Sequence, residues 1–171
     1  KGNNLRKTFL RSPLNFSRIS SRYSKKRFHP VLKRYKSHLG TDYAAPRGTP
    51  IRSVADGIVT EATRNRGNGI YVKIKHNNKY STQYLHMSKF AKKIKKGVRV
   101  KQGQIIGYVG STGLSTGPHL HYEVIENGRK INSQKLKLPS GKILKGDLRK
   151  KFEVNKIKID VLKSELISEL N

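Results

Sequence analysis

Three short patterns in the sequence contain histidines that could do chemistry together. His38 stands four residues before Asp42, His86 ends a strand-like run, and His119 and His121 flank a leucine. Side chains two residues apart on a β-strand point to the same face, so the paired histidines are expected to present both imidazoles to one cleft. A helix would not place them side by side. The spacing therefore predicts a cluster of metal-binding or proton-transferring groups.

Imidazole and carboxylate groups are typical ligands of a catalytic zinc ion, which uses three protein ligands and keeps one position for water. His38, Asp42 and one of the paired histidines would supply such a set. The other paired histidine and His86 would then be free to accept a proton from water or to hydrogen-bond an oxyanion. Thiolate ligands are excluded because the chain has no cysteine. These side chains favour metal-assisted peptide hydrolysis.

A glycine-rich segment leads directly into the paired histidines. Residues 111–118 read Ser-Thr-Gly-Leu-Ser-Thr-Gly-Pro. Glycines let the backbone approach a site closely. A lone histidine is more often an ordinary surface or core residue, but a glycine-rich loop followed by two imidazoles on one face is typical of an active site.

In this order, the motifs resemble those of the M23 family of zinc metallopeptidases, the lysostaphin and LytM type. The motifs are His-x-x-x-Asp, the Tyr-x-His-like residues, and Ser-Thr-Gly-x-Ser-x-Gly-Pro-His-x-His. The resemblance implies that one zinc ion is bound by His38, Asp42 and His121. It also implies that His86 and His119 form the catalytic pair, in an antiparallel β fold whose open groove is walled by loops.

The basic flank before these motifs resembles the Gram-negative cross-link hydrolases of that family, the murein DD-endopeptidases. Leu10–Ser21 leads into Arg27–Pro30 as it does there. The resemblance implies that the substrate is the cross-linked stem peptide of peptidoglycan and that the bond cut joins D-Ala to meso-diaminopimelate. It also implies a periplasmic or cell-envelope location.

Short apolar runs separated by Gly and Pro predict a mainly β fold with an antiparallel sheet core. In residues 70–75, Ile and Val alternate with Tyr and Lys, which is the period of a half-buried strand. The other strand-like runs are Pro50-Ile51, Gly57–Val59, Tyr80–His86, Ile105–Val109 and His119–Ile125.

We expect three parts along the chain: an N-terminal strap over residues 1–19, a catalytic domain over residues 20–132, and a C-terminal extension over residues 133–171. Residues 1–36 are basic and broken by prolines, so we interpret them as an irregular strap. The chain begins with Lys1 rather than Met, and we expect a processed or excised part of a longer protein with its targeting segment upstream.

The C-terminal extension is expected to contain an amphipathic helix. Ile159, Leu162, Leu166 and Leu170 recur at helical spacing. We interpret this helix as a cap on the domain or a continuation into another region rather than as a partner-binding element.

The charge of the chain indicates an anionic partner. Lys and Arg number 38 against 10 Asp and Glu, a formal net charge of +28. Such a field attracts polyanions, and anionic cell-wall polymers suit it. Nucleic acid is not favoured, because few aromatics interleave with the basic runs and no known binding motif occurs. No run of about 18 apolar residues exists, so no membrane span is predicted.

Two other interpretations compete with an enzyme. A non-catalytic cell-wall-binding or hydrolase-activator domain would keep the fold and lose ligands, whereas all five His and Asp positions stand here. Residues 97–107 resemble the hairpin of lipoyl and biotinyl carrier domains, but they lead into the glycine-rich loop, so we interpret them as shared strand architecture. His29 and His76 match no ligand position and are expected to be structural or surface residues.

Overall fold

Antiparallel strands are the main secondary structure of the described chain. The computed structural model describes residues 9–15, 18–29, 34–136 and 146–169. Two compact units divide the chain, Phe9–Lys137 with the strands and a second that contains the C-terminal helix. Among the described residues, no helix has the length and apolar character needed to cross a membrane.

The elements follow one another along the chain with short connections. The strands are β1 (Arg18–Ser21), β2 (Ser24–His29), β3 (Arg34–His38), β4 (Thr41–Ala44), β5 (Pro50–Arg52), β6 (Gly57–Asn65), β7 (Gly69–Lys75), β8 (Tyr80–Phe90), β9 (Arg99–Val100), β10 (Ile105–Val109), β11 (His119–Glu126) and β12 (Arg129–Ile131). A 3-10 turn, Ser133–Lys135, follows the last strand, and helix α1 spans Gly146–Glu169.

One large sheet organises the first unit. Its strand order is β1-β4-β11-β8-β7-β6-β9, with β12 paired to β11 and β10 paired to both β5 and β8. The hairpin of β2 and β3 forms a separate small sheet. The prediction of a mainly β, antiparallel fold is confirmed.

Alternating burial explains why these segments form strands. In β7, Val72 and Ile74 are fully buried, while Lys73 is half-buried and Lys75 is exposed. One face of the strand thus contributes to the core and the other reaches water. The largest fully buried side chains come from several strands and one connecting segment: Ile51, Val54, Val59, Tyr84, Met87, Ile106, Val109, Leu120 and Val124.

The basic N-terminal stretch is more regular than predicted. Within residues 1–36, residues 18–21, 24–29 and 34–36 belong to strands, so the prediction of an irregular strap was wrong there. Strand β1 pairs with β4, and Ser20 donates a hydrogen bond to the Asp42 carbonyl at 3.3 Å. Basic residues suit such an edge strand because their side chains reach water. Residues 1–8, 16–17 and 30–33 lie outside the described residues.

Helix α1 confirms the expected C-terminal helix but has apolar residues on two sides. At 3.6 residues per turn, Ile159 and Leu162 share one side, whereas Val154, Ile157 and Val161 lie on the opposite side. All five side chains are exposed. The helix is therefore less amphipathic than its leucine spacing predicts. Leu170 lies outside the described residues.

Strands β4, β11 and β8 are consecutive in the sheet and place the histidine motifs beside one another. His121 in β11 lies opposite Asp42 in β4 on one side and opposite Leu85 in β8 on the other. Strand β3 ends at His38, three residues before β4 begins at Thr41. Motifs far apart in sequence therefore meet at one region of the sheet.

Candidate metal centre and active-site groove

Three side chains predicted as metal ligands converge at the β4–β11 pair. The His38 Nε2 atom lies 2.9 Å from Asp42 Oδ2 and 3.2 Å from His121 Nδ1. The His121 Nδ1 atom lies 2.7 Å from Asp42 Oδ1. All three side chains are at most 14% exposed. The structure thus brings together His38, Asp42 and His121 as the sequence predicted.

Hydrogen bonds connect Asp42 with both histidines of this cluster. Burial alone would lower the pKa of His121, but hydrogen bonds and charges from Asp42 and Glu123 outweigh it and raise that pKa to about 9. Burial likewise opposes ionisation of Asp42, yet hydrogen bonds from His121 and His38 hold its pKa far below its usual range. The pair is therefore an imidazolium and a carboxylate at neutral pH.

The donor set fits a zinc ion. One ligand atom from each of His38, Asp42 and His121 lies within 4.8 Å of the others. Two imidazole nitrogens and a carboxylate oxygen are ligands that zinc accepts in catalytic sites, with a position left for water or substrate. The buried and closely spaced donors therefore suit a catalytic rather than a closed structural site.

A backbone carbonyl fixes the orientation of one ligand. The Nδ1 atom of His38 lies 2.8 Å from the carbonyl oxygen of Arg22. A carbonyl only accepts, so Nδ1 donates to Arg22, and Nε2 is the nitrogen directed toward Asp42 and available to a cation. Because Arg22 lies between β1 and β2, the N-terminal strands contribute directly to this site.

The two histidines predicted as catalytic lie next to the cluster of candidate metal ligands. The rings of His86 and His119 are 4.8 Å apart between centroids. The Nδ1 atom of His86 lies 2.7 Å from the Thr112 carbonyl oxygen, and that of His119 lies 2.8 Å from the Gly117 carbonyl oxygen. Each Nδ1 therefore donates its proton to a carbonyl oxygen, and Nε2 is the ring atom left to accept a proton.

A β-bulge in β8 sets the position of His86. Ile70 pairs with Met87 and Val72 pairs with Tyr84, so Leu85 and His86 together oppose one residue of β7. His86 has φ 61°, a left-handed conformation that is strained for a non-glycine residue. Bulges near active sites commonly re-aim a side chain.

Burial is the largest influence on the protonation of His86. It lowers the pKa of this imidazole to about 4, against the opposing effect of the Thr112 carbonyl. The ring is therefore neutral at physiological pH and able to accept a proton.

The glycine-rich loop is locked against the β6–β7 turn. The Thr112 hydroxyl accepts a hydrogen bond from the Ile70 amide at 2.9 Å and donates one to the Met87 carbonyl at 2.7 Å. Gly113 and Gly69 both have positive φ, and a Cβ on Gly113 would lie 2.2 Å from the Gly69 nitrogen. This close packing fixes the Thr112 carbonyl that holds His86.

A cleft with a cavity volume of about 660 Å³ opens over these residues. Besides the five predicted side chains, its lining includes Arg27 from the β2–β3 hairpin, Leu114 from the glycine-rich loop, and Lys130. A groove of this size admits a peptide segment. Both strand residues, such as His121, and loop residues, such as Leu114, line the cleft.

Sequence reasoning missed the neighbours that hold the predicted side chains. Glu123 lies 3.1 Å from His121 Nε2, and Gly40 packs against the same ring. The position of Glu123, two residues after His121 on one strand, was a signal that it shares the histidine's face. A backbone carbonyl such as that of Arg22 leaves no such signal.

The remaining histidine within the described side chains lies elsewhere. His76 is hydrogen-bonded through Nδ1 to the Asp56 carbonyl at 2.8 Å and through Nε2 to the Thr82 hydroxyl at 2.7 Å. It packs edge-on against Phe9. These contacts are structural, as expected. The side chain of His29 lies outside the described residues.

The chain is similar in sequence to known proteins. The chain is 48% identical over 154 residues to the peptidoglycan DD-endopeptidase ShyC of Vibrio cholerae, across 90% of this chain and 35% of ShyC. It thus spans about a third of that relative's length.

Solved structures show the same fold. A zinc-containing peptidase from Vibrio cholerae superposes with a TM-score of 0.73 at 42% identity, over 79% of this chain and 42% of that one. The catalytic domain of lysostaphin from Staphylococcus simulans superposes with a TM-score of 0.58 at 30% identity, over 72% and 89% of the two chains. The model of peptidase family M23 matches residues 36–133, more than half of the sequence. This chain belongs to peptidase family M23.

Proposed function

We propose that this chain is a zinc-dependent endopeptidase that hydrolyses the peptide cross-links of bacterial peptidoglycan. The observation that carries the proposal is the buried cluster of His38, Asp42 and His121, whose donor atoms lie within 4.8 Å of one another beside a second histidine pair. The relative ShyC is named a peptidoglycan DD-endopeptidase, which supports the same substrate class here.

In this proposal His38 Nε2, a carboxylate oxygen of Asp42, and His121 Nδ1 hold one zinc ion. When bound, zinc supplies a Lewis acid that polarises the scissile carbonyl and lowers the pKa of water. The three side chains are already within hydrogen-bonding distance of one another, so little rearrangement is needed to bind a cation.

In this proposal, His86 and His119 transfer the protons of the reaction. With each Nδ1 donating to a backbone carbonyl, the Nε2 atom of either ring accepts the proton of the attacking water. The imidazolium so formed then donates a hydrogen bond to the tetrahedral oxyanion and a proton to the leaving amine. His119 Nε2 lies 4.0 Å from Asp42 Oδ1 and is therefore beside the proposed metal ligands.

The bond that we propose is the one between D-Ala and meso-diaminopimelate. The basic flank that resembles Gram-negative cross-link hydrolases supports this choice, and so does the name of ShyC. We further propose that the catalytic domain spans residues 20–132 rather than beginning at residue 36. The hydrogen bond between the Arg22 carbonyl and His38 supports the earlier start.

We also propose that the chain acts in the periplasm or cell envelope and contacts anionic wall polymer. Between Glu61 and Glu123 the sequence contains no acidic residue. Exposed cations cluster in the segment that joins β8 to β10: Lys92, Lys93, Lys95, Lys96, Arg99 and Lys101. Co-sedimentation with purified sacculi that weakens as salt rises would support this contact, and salt-independent sedimentation would contradict it.

Paired substitutions test the catalytic proposal against a non-catalytic wall-binding domain. The His121→Ala variant should lose both zinc and muropeptide cleavage, because it removes a ligand. The His119→Ala variant should keep zinc and lose turnover by a factor of about 10²–10⁴. Zinc per chain and product release are measured together. Cleavage retained in a metal-free His121→Ala protein would sink the proposal.

A further inference from the structure

Glu123 is a buried carboxylate beside His121, one of the three proposed metal ligands. It follows His121 by two residues on β11, so both side chains point to the groove face. Its side chain is only 4% exposed, and its Oε1 atom lies 3.1 Å from His121 Nε2. None of the proposed proton-transfer steps uses this carboxylate.

A lysine from the neighbouring strand compensates this buried charge. The Lys130 Nζ atom on β12 lies 2.7 Å from the same Oε1 atom of Glu123. The other carboxylate oxygen, Oε2, has no hydrogen-bond partner among the described residues. A buried carboxylate is costly unless it is paired. The two hydrogen bonds to Oε1, from His121 and Lys130, offset this cost.

The contact determines which nitrogen of His121 is available to a cation. A carboxylate only accepts, so the Nε2 atom of His121 carries the proton and donates it to Glu123. Nδ1, which faces Asp42 at 2.7 Å and His38 at 3.2 Å, is then the nitrogen that gives up its proton when a cation binds. The ring cannot offer Nε2 to a metal while this hydrogen bond holds.

The packing around the ring supports a fixed orientation. The backbone of Gly40 lies so close that a Cβ there would be 2.5 Å from His121 Nε2. The ring is thus bounded by Gly40, by Asp42 on its Nδ1 side and by Glu123 on its Nε2 side.

We propose that Glu123 and Lys130 form a positioning pair that holds His121 in its metal-binding tautomer and strengthens zinc binding. The proposal rests on the zinc site described under the proposed function. Outer hydrogen bonds to a ligating histidine fix its ring and raise its basicity. His38 receives this support from a neutral carbonyl, whereas His121 receives it from a carboxylate anchored by a cation.

Zinc affinity and the spectrum of the cobalt-substituted protein test the pair without reference to peptidase activity. Glu123→Ala removes both hydrogen bonds and should weaken zinc binding by about 10–100-fold. Glu123→Gln keeps an acceptor for His121 Nε2 and should retain most of the affinity. Lys130→Met should weaken binding to an intermediate extent and shift the cobalt absorption bands, because Glu123 loses its anchor.

Glu126→Gln is the matched control. Glu126 lies on the same strand and pairs with a lysine, Lys79, at 3.0 Å, but it makes no contact with a histidine in the described part of the chain. The Glu126→Gln variant should bind zinc as the parent does. Circular dichroism of the metal-free variants reports whether the sheet is intact, and the glutamine variant covers the case in which the alanine variant fails to fold.

The outcomes separate this inference from the proposed function. Parent-like zinc affinity and cobalt spectra in Glu123→Ala, or equal losses in Glu126→Gln, would overturn the positioning role. A Lys130→Met protein with a raised KM and unchanged zinc affinity would assign Lys130 to substrate binding and overturn its part in the pair. If the parent binds zinc but cleaves no muropeptide, the proposed function fails while the zinc titrations still decide this inference.

Discussion

His121 and Asp42 lie directly opposite each other in β11 and β4, with the histidine Nδ1 atom 2.7 Å from a carboxylate oxygen. This contact stabilises the metal-free protein, because it pairs an imidazolium with a carboxylate. It also places two of the three proposed zinc donors side by side. A bound cation must therefore displace the proton that the pair shares.

We predict that zinc affinity rises with pH up to about 9. The His121 pKa is raised from 6.5 to about 9, so the ring is protonated at neutral pH and must release a proton on binding zinc. Below that pKa the affinity should increase about tenfold per pH unit. Competition titrations against a chelator of known pH dependence measure this slope. An affinity that is flat across the neutral range would contradict the prediction.

A methyl group at position 40 should disturb the His121 ring. In Gly40→Ala the new Cβ would lie 2.5 Å from His121 Nε2 and 2.8 Å from the Tyr122 carbonyl oxygen. Overpacking of this kind costs about 1–3 kcal/mol. We expect a lower free energy of unfolding for the metal-free protein and weaker zinc binding, measured by denaturant titration and chelator competition.

The control for that substitution is Gly67→Ala. A Cβ there meets its nearest heavy atom at 3.7 Å, an ordinary contact, and Gly67 lacks a positive φ. It should change stability and zinc affinity little. Equal behaviour of the two variants would show that the space above the imidazole is not restrictive.

The Thr112 hydroxyl should matter for turnover more than for zinc. Thr112→Val keeps the shape of the side chain but removes the hydrogen bonds to the Ile70 amide and the Met87 carbonyl, leaving two inward-facing backbone groups unpaired. Each such loss costs about 1–3 kcal/mol. The loop that holds His86 should loosen, so kcat should fall while zinc content stays at the parent level.

Thr63→Val provides the comparison, because Thr63 is exposed on β6. It should leave kcat and stability close to those of the parent. A Thr112→Val protein with parent-like kcat would show that the hydroxyl does not hold His86 in place.

His76 should prove to be structural. Its two ring nitrogens are used by the Asp56 carbonyl and the Thr82 hydroxyl, and it packs against Phe9. His76→Ala should lower the melting temperature and leave zinc stoichiometry unchanged, measured by calorimetry and metal analysis. Loss of zinc from a folded variant would contradict this assignment.

Residue patterns predicted the sheet and the convergence of the histidines for clear physical reasons. The alternation of Val72 and Ile74 with lysines marks a half-buried strand, and the spacing of His119 and His121 marks one face of a strand. The structure brings His38, Asp42 and His121 together. The roles given to them stay predictions that the substitutions above address.

Other features could not be predicted because they depend on pairing between distant segments. Residues 18–21 lie in a basic stretch that composition predicts to be irregular, and they become strand β1 by pairing with β4. The bulge that turns His86 toward the groove is set by the register with β7 rather than by the residues of β8 alone. The contact of the Arg22 carbonyl with His38 could not be predicted, because every residue type has a backbone carbonyl.

The most direct test is hydrolysis of a defined muropeptide dimer, cross-linked through D-Ala and meso-diaminopimelate, by the zinc-loaded protein in water enriched in oxygen-18. Mass spectrometry should show two monomers, with one heavy oxygen in the new D-Ala carboxylate and none in the product that bears the new amine. The chelated protein and the His121→Ala variant should leave the dimer intact. An uncut dimer with fully zinc-loaded, folded protein, or cleavage at a different bond, would contradict the account.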